Sequence, residues 1–126
     1  MARILVVEDC ENLRGLFQKT LAAAGHAVTV ASEGNDAIRI LDKGDFDLLV
    51  TDIIMPGLDG FEVIQAAKKK FPKLPIIAIS GGGRNGAMLY LSVARKFGVQ
   101  KTLAKPFIVE ELCVAADEIL GGAVAA

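Results

Sequence analysis

Cysteine, histidine and long apolar runs are all scarce in this sequence of 126 residues, and each scarcity excludes a class of protein. The two cysteines, Cys10 and Cys113, are too few and too far apart for a disulfide framework or a zinc site, so we expect both to be reduced thiols. No apolar run is long enough to span a bilayer, and the amino terminus lacks the long apolar region of a signal peptide. These absences predict a cytoplasmic protein with no membrane partner.

An excess of positive charge is also lacking, since the formal net charge is -1. A surface that binds nucleic acid needs concentrated positive charge, so we expect no nucleic-acid partner. The one basic run, Lys68–Lys70, ends a predicted helix, where cations interact favourably with the helix dipole. The single histidine, His26, lacks the sequence context of a phosphodonor, and we interpret it as a surface residue.

Short apolar runs alternate with segments of helical periodicity along the whole chain. The predicted strands cover residues 4–7, 27–31, 48–51, 76–79 and 99–103, and a predicted helix follows each of them. Five strand–helix units with short connections predict an α/β fold, a doubly wound five-stranded parallel sheet with helices on both faces. We expect one domain over residues 1–121 and a frayed tail over residues 122–126.

Polar residues follow four of the five predicted strands. Glu8 and Asp9 follow the first strand, Asp52 the third, Ser80 the fourth and Lys105 the fifth. The carboxyl ends of parallel strands lie at one edge of the sheet, which is where such proteins bind ligands. We therefore predict that these five residues form one site.

The chemistry of this residue set favours metal-assisted phosphoryl transfer. Three carboxylates at one edge repel each other unless a cation relieves the repulsion, and oxygen ligands without histidine or cysteine favour Mg²⁺ over zinc. A carboxylate beside Mg²⁺ and an ammonium group can attack a phosphoryl group to give an aspartyl phosphate. Asp52 is the predicted nucleophile, with Lys105 and Ser80 contacting phosphoryl oxygens. Since Lys105 precedes Pro106, a cis peptide bond could hold the lysine inward.

Over essentially its whole length the chain resembles the receiver domain of bacterial two-component response regulators. The segments that carry the resemblance are residues 4–9, 52–60, 79–80 and 103–107. It implies a flavodoxin-like strand order 2-1-3-4-5, and a phosphoryl group that Asp52 accepts from a phosphohistidine of a sensor histidine kinase or histidine phosphotransfer protein. It also implies Mg²⁺ bound by Asp9, Asp52 and the backbone carbonyl of Ile54, with Glu8 supporting through water.

The resemblance further implies a stand-alone, CheY-like phosphoacceptor switch that is not an enzyme. Receivers usually signal to a downstream protein through the fourth helix, fifth strand and fifth helix. In the predicted fourth helix, Tyr90 lies in the apolar run 88–91, which is either part of a partner surface or a helix buried on several sides. Ser80 and Pro106 belong to the predicted switch region.

Two features depart from the family pattern. Receivers commonly have an aromatic residue three positions before the lysine, and this chain has Thr102 there, so the usual coupling of hydroxyl and aromatic ring does not operate in its common form. The glycines Gly81–Gly83 lengthen the connection between the fourth strand and Lys105, and we predict a mobile loop there.

Three other functions were weighed against the phosphoacceptor switch. An Asp-nucleophile phosphatase on a similar fold generally has an Asp-x-Asp motif on its first strand, which residues 8–11 do not supply. A dinucleotide-binding domain needs a glycine fingerprint that the same turn lacks. A receiver fold used as an adaptor that is never phosphorylated stays open because of Thr102, although the complete acceptor set argues against it.

Overall fold

The computed structural model describes residues 2–53, 60–80, 92 and 94–124, and at 122–124 it describes the backbone only. The five strands are β1 (Arg3–Val7), β2 (Ala27–Ala31), β3 (Leu48–Asp52), β4 (Ile76–Ser80) and β5 (Lys101–Ala104). The helices that can be bounded are α1 (Glu11–Ala23), α2 (Gly34–Lys43), α3 (Gly60–Lys70) and the C-terminal helix (Val109–Val124). None of these helices is long and apolar enough to cross a membrane.

The strands form one parallel sheet in the order β2-β1-β3-β4-β5. This confirms the predicted fold class and strand order. The central strands read as continuous apolar runs because helices cover both of their faces. Alternate residues of β1, β3 and β4 pack with α2 and α3 on one face, and the others pack with α1 and the C-terminal helix on the opposite face.

Two predicted boundaries differ from the structure by more than one residue. The fifth strand begins at Lys101 rather than at Val99. The Ile76 N–H donates to the side-chain oxygen of Gln100 at 2.7 Å, and this side chain takes the place of the backbone carbonyl that a longer strand would supply. The C-terminal helix continues to Val124, three residues into the predicted frayed tail of 122–126. Glycine within a helix costs only about 1 kcal/mol relative to alanine, so Gly121 and Gly122 do not end it.

Several predictions fall outside the described residues. These are the backbone carbonyl of Ile54 as a metal ligand, the loop at Gly81–Gly83, and Tyr90 with the rest of the 88–91 run. In the predicted fourth helix, residues 94–96 and 92 have helical backbone.

Candidate functional site

The register of the sheet brings the predicted site residues to one edge. Asp52, the last residue of β3, pairs with Ile79, so that Ser80 lies one residue further along the neighbouring strand. Ser80 pairs with Ala104, and its carbonyl accepts a hydrogen bond from the Lys105 N–H at 2.8 Å. The strands β3 and β4 are buried along their full length, so the backbone that holds Asp52 and Ser80 belongs to the core.

The side chain of Lys105 connects two of the three acids. Its Nζ lies 2.9 Å from Asp52 Oδ2, with hydrogen-bond geometry, and 2.9 Å from Glu8 Oε1. The contact with Glu8 is an ion pair without good hydrogen-bond angles, since Oε1 has no hydrogen-bond partner among the described residues. The Lys105–Pro106 peptide bond is cis, the isomer that the sequence allowed. By its distances to the two carboxylates, the ammonium group lies inside the site.

Burial dominates the electrostatics of Glu8. Its side chain is 1% exposed, and burial raises its pKa to about 7, although the contact with Lys105 and the hydrogen bond from the Cys10 N–H to Oε2, at 3.1 Å, act in the opposite direction. Burial alone would lower the pKa of Lys105, but its hydrogen bond to Asp52 and its contact with Glu8 raise it. The lysine therefore stays charged at neutral pH, while burial makes Glu8 easier to protonate than an exposed glutamate.

The three acids can supply ligands to one cation. Carboxylate oxygens of Glu8, Asp9 and Asp52 lie within 4.8 Å of one another. Glu8 and Asp52 are buried, whereas Asp9 is exposed to solvent. Mg²⁺ typically binds one or two carboxylates and keeps several waters, so this oxygen-only group fits Mg²⁺. The residues of the cluster are those predicted from the sequence.

Ser80 contributes a buried donor. Its side chain is fully buried, and within the described part of the chain its hydroxyl has no hydrogen-bond partner. Buried polar groups are nearly always paired, so an unpaired hydroxyl at a ligand-binding edge is available to a ligand. The contact between Ser80 and a phosphoryl oxygen stays a prediction.

Of the residues predicted for the switch, Ser80 is buried in the site, Tyr90 lies outside the described residues, and Thr102 and Pro106 lie on or just after the edge strand β5. Thr102, in the middle of β5, is half-buried, and its Oγ1 accepts a hydrogen bond from Arg95 Nη2 at 3.1 Å. Pro106 is exposed, and the next residue, Phe107, stacks on Phe17 of α1 with ring centroids 5.7 Å apart. The segment that carries Lys105 is therefore packed against α1.

Sequence reasoning missed two guanidinium groups that contact this region. Arg95 pairs with Thr102, and Arg14 in α1 donates from Nη1 to the carbonyl of Glu8 at 3.1 Å. The position of Arg14 in the first turn of α1, just after the acid pair, was the signal that could have identified it. For Arg95 no comparable signal exists, because its partner lies seven residues along the chain on another element.

The glycine that opens α3 lies against the backbone of Asp52. A Cβ atom on Gly60 would lie 2.1 Å from the Asp52 carbonyl oxygen and 2.5 Å from the Ile53 Cα. The Gly60 N–H donates to the Ile53 carbonyl at 2.8 Å, which fixes this close approach. Only glycine fits here without moving the strand end that carries Asp52.

Comparison with known proteins agrees with this geometry. Residues 4–117 match the family described as the response regulator receiver domain. The chain belongs to that family. Receiver domains are the phosphoacceptor modules of two-component systems, which also contain sensor kinases and downstream targets.

Relatives of two kinds are similar to this receiver. The chemotaxis protein CheY homologue of Campylobacter jejuni is 32% identical over 123 residues, which cover 94% of this chain and 92% of that protein. The transcriptional regulatory protein TcrA of Mycobacterium tuberculosis is 34% identical over 110 residues, and the chain spans only 42% of its length. Among solved structures, the Vibrio cholerae chemotaxis protein CheY4 has a TM-score of 0.84 at 27% identity, covering 94% of this chain and 98% of that chain.

Proposed function

We propose that this receiver is a phosphorylation-controlled signalling switch in which Asp52 accepts a phosphoryl group from a phosphohistidine, with Mg²⁺ bound at the acid cluster. The observation that carries the proposal is the position of the Lys105 Nζ, 2.9 Å from Asp52 Oδ2, beside carboxylates that lie within 4.8 Å of one another. A buried carboxylate with an adjacent ammonium group and a cation site has the parts needed for an aspartyl phosphate.

In the proposed reaction an Asp52 carboxylate oxygen forms a bond to phosphorus. The P–N bond of the phosphohistidine breaks, and its electron pair returns to the imidazole ring. The transferred group carries charge on three equatorial oxygens, so the protein contributes mainly placement and charge neutralisation. Bound Mg²⁺ would neutralise part of that charge, held by Asp9 and Asp52 with Glu8 in support.

Lys105 and Ser80 have distinct parts in the proposal. The Lys105 ammonium, now 2.9 Å from Asp52 Oδ2, would pair with a phosphoryl oxygen once Asp52 carries the phosphoryl group. The buried Ser80 hydroxyl, which has no partner among the described residues, would donate a hydrogen bond to another phosphoryl oxygen. Both groups are fixed to strands that neighbour each other in the sheet, so phosphorylation would change contacts on β4 and β5 together.

A relative supports Mg²⁺ as the cofactor. The response regulator protein TrrA of Thermotoga maritima was crystallised in complex with Mg²⁺-BeF. It is 30% identical to this chain with a TM-score of 0.83, and the match covers 94% of this chain and 99% of that chain. We propose the same ion for this chain, in a cytoplasmic, non-enzymatic switch like the CheY homologues. Its partners would be a sensor histidine kinase or histidine phosphotransfer protein, and a downstream protein.

Intact mass measurement after incubation with acetyl phosphate and Mg²⁺ tests the proposal. The wild type should gain one phosphoryl group, whereas Asp52→Asn should gain none because an amide is a poor nucleophile. Omitting Mg²⁺ should abolish the gain in the wild type. Equal labelling of the two proteins would remove the assignment of Asp52.

An adaptor that is never phosphorylated is the second candidate, and the observation in its favour is the Arg95–Thr102 hydrogen bond, at 3.1 Å, where the family commonly has an aromatic ring. An adaptor would bind its partner equally well as wild type, as Asp52→Asn and after treatment with acetyl phosphate. A switch would show a difference between the treated wild type and the Asp52→Asn variant.

A further inference from the structure

We propose that Arg14 is a positioning residue that fixes the acid pair Glu8 and Asp9 in the arrangement that binds a divalent cation. The inference rests on the proposed Mg²⁺ site. It concerns a residue that would bind neither the ion nor the phosphoryl group, and that acts through the backbone of two ligand-bearing residues.

The side chain of Arg14 contacts the loop between β1 and α1. The side-chain Nη1 donates to the Glu8 carbonyl at 3.1 Å, while the backbone N–H of Arg14 makes the regular first hydrogen bond of α1, to the Cys10 carbonyl at 2.8 Å. The same Nη1 lies 3.5 Å from the Asp9 carbonyl, at the limit of a hydrogen bond. The guanidinium of this half-buried residue therefore contacts the carbonyls of both residues of the acid pair.

The loop lacks the restraint that usually holds such a turn. Helix α1 has Cys10 at its N-cap, and that side chain makes no capping hydrogen bond. Capping side chains such as Ser, Thr, Asp and Asn ordinarily fix the entry of the chain into a helix. Here the guanidinium of Arg14 restrains the loop instead, by donating to its carbonyl groups. The Cys10 N–H is itself directed at Glu8 Oε2, at 3.1 Å, so the placement of the Glu8 carboxylate depends on the same loop.

The charge of Arg14 and its contacts with the loop should have opposite effects on Mg²⁺ affinity. A cation beside a dication site repels the incoming ion, so an arginine acting through charge alone would weaken Mg²⁺ binding. An arginine that fixes the loop strengthens binding, because groups that orient metal ligands typically contribute about 10- to 100-fold to affinity. Removing the side chain must therefore lower the affinity if Arg14 positions the acids, and raise it if Arg14 is only a neighbouring charge.

The experiment compares Arg14→Met with the matched control Arg39→Met. Both arginines line the same cleft of about 520 Å³, and both substitutions remove one positive charge, but the guanidinium of Arg39 pairs with Asp36 of α2. Mg²⁺ affinity is measured by calorimetry, and the thermal midpoint in EDTA reports folding. We expect Arg14→Met to bind Mg²⁺ roughly tenfold more weakly. Arg39→Met should bind with unchanged or slightly higher affinity.

Each outcome decides a separate question. A wild type that does not bind Mg²⁺ would end the proposed function itself. A wild type that binds, with a folded Arg14→Met variant that binds equally well or more tightly, would overturn the role of Arg14 alone. If Arg14→Met does not fold, Arg14→Lys decides, because it keeps the charge but loses the planar fork of donors. Weaker binding by Arg14→Lys supports positioning, and unchanged binding overturns it.

Discussion

The strands β3 and β5 each contribute to the site, and they differ in how firmly they are held. All five residues of β3 are buried, whereas the residues of β5 are half-buried or exposed at the edge of the sheet. The acceptor Asp52 therefore ends a fully buried strand, and Lys105 follows a less buried strand at the edge of the sheet. In the proposed switch the phosphoacceptor Asp52 stays fixed and Lys105 moves in response to the phosphoryl group. The deeper burial of β3 than of β5 is consistent with these two roles.

The largest expected effect comes from a substitution at the buried end of β3. In Gly60→Ala, the new Cβ would lie 2.1 Å from the Asp52 carbonyl oxygen, and backbone atoms on both sides leave no flexible group to yield. We expect a loss of more than about 3 kcal/mol in the free energy of unfolding, at the upper end of overpacking effects. Urea denaturation measures it, and labelling by acetyl phosphate should fall with it.

The control for that variant is Gly15→Ala. Gly15 lies within α1, and a Cβ there would meet no atom within 4 Å. Alanine is the better helix former, so this variant should gain up to about 1 kcal/mol. Equal stabilities for Gly60→Ala and Gly15→Ala would show that the end of β3 is not held rigidly.

The next effect removes the group that joins the two strands. Lys105→Met leaves Glu8 and Asp52 buried without their shared cation, and breaking a buried ion pair in this way costs about 3 kcal/mol. Saturating Mg²⁺ should restore part of that stability, because it supplies the missing positive charge. Thermal midpoints with and without Mg²⁺ measure both effects.

Lys101→Met is the matched surface control. Lys101 pairs with Glu118 across the outside of β5, where exposed ion pairs contribute less than about 1 kcal/mol. A loss in Lys105→Met no greater than that in Lys101→Met would mean that the two acids do not depend on Lys105.

Much of this site could be predicted from the sequence, for a topological reason. Glu8, Asp52, Ser80 and Lys105 are each at or just beyond the end of an apolar run, and parallel strands bring such ends together whatever the details of packing. Arg14 and Arg95 could not be found in the same way. Their contacts depend on side-chain rotamers and on how far a guanidinium reaches, which periodicity does not encode.

The same limit explains the errors at element boundaries and why the pKa of Glu8 could not be predicted. The start of β5 depends on the side chain of Gln100, which occupies the Ile76 N–H. The pKa of Glu8, about 7, depends on its being 1% exposed, and a residue beyond the end of a strand carries no sign of its burial in the sequence. Pattern predicts where a chain turns, but not which hydrogen bonds compete there.

A third effect concerns pH. The pKa of Glu8 rises from about 4.5 to about 7 on folding, so the folded protein holds this proton more tightly than the unfolded chain. The stability that Glu8 contributes is therefore fully present below about pH 4.5 and is lost as pH rises through about 7, on the order of 3 kcal/mol.

Denaturation of metal-free protein between pH 4.5 and pH 8 measures this loss, with Glu8→Gln as the control that cannot ionise. The difference in unfolding free energy between wild type and Glu8→Gln should become less favourable to the wild type as pH rises. Because Mg²⁺ favours the ionised acid, Mg²⁺ affinity of the wild type should increase with pH up to about 7. A pH-independent difference would show that Glu8 is ionised throughout.

The smallest expected effect makes the same substitution in the buried strand and in the edge strand. Thr51 in β3 donates from Oγ1 to the Asp52 carbonyl at 3.0 Å within the core, and Thr102 in β5 accepts from the Arg95 side chain at 3.1 Å on an exposed contact. Valine has the same shape without the hydroxyl. Thr51→Val should cost about 1 kcal/mol, the net value of one hydrogen bond, and should reduce labelling because the carbonyl belongs to the acceptor residue.

Thr102→Val should cost less than about 0.5 kcal/mol, because water replaces the lost partner of Arg95 at the exposed edge. Urea denaturation of both variants measures the difference, with labelling by acetyl phosphate as the second readout. A larger loss at Thr102 than at Thr51 would reverse the comparison: the edge strand would then be the restrained one. In that case Lys105 would be held as firmly as Asp52, and a switch that works by moving the lysine end of the sheet would have no mobile part.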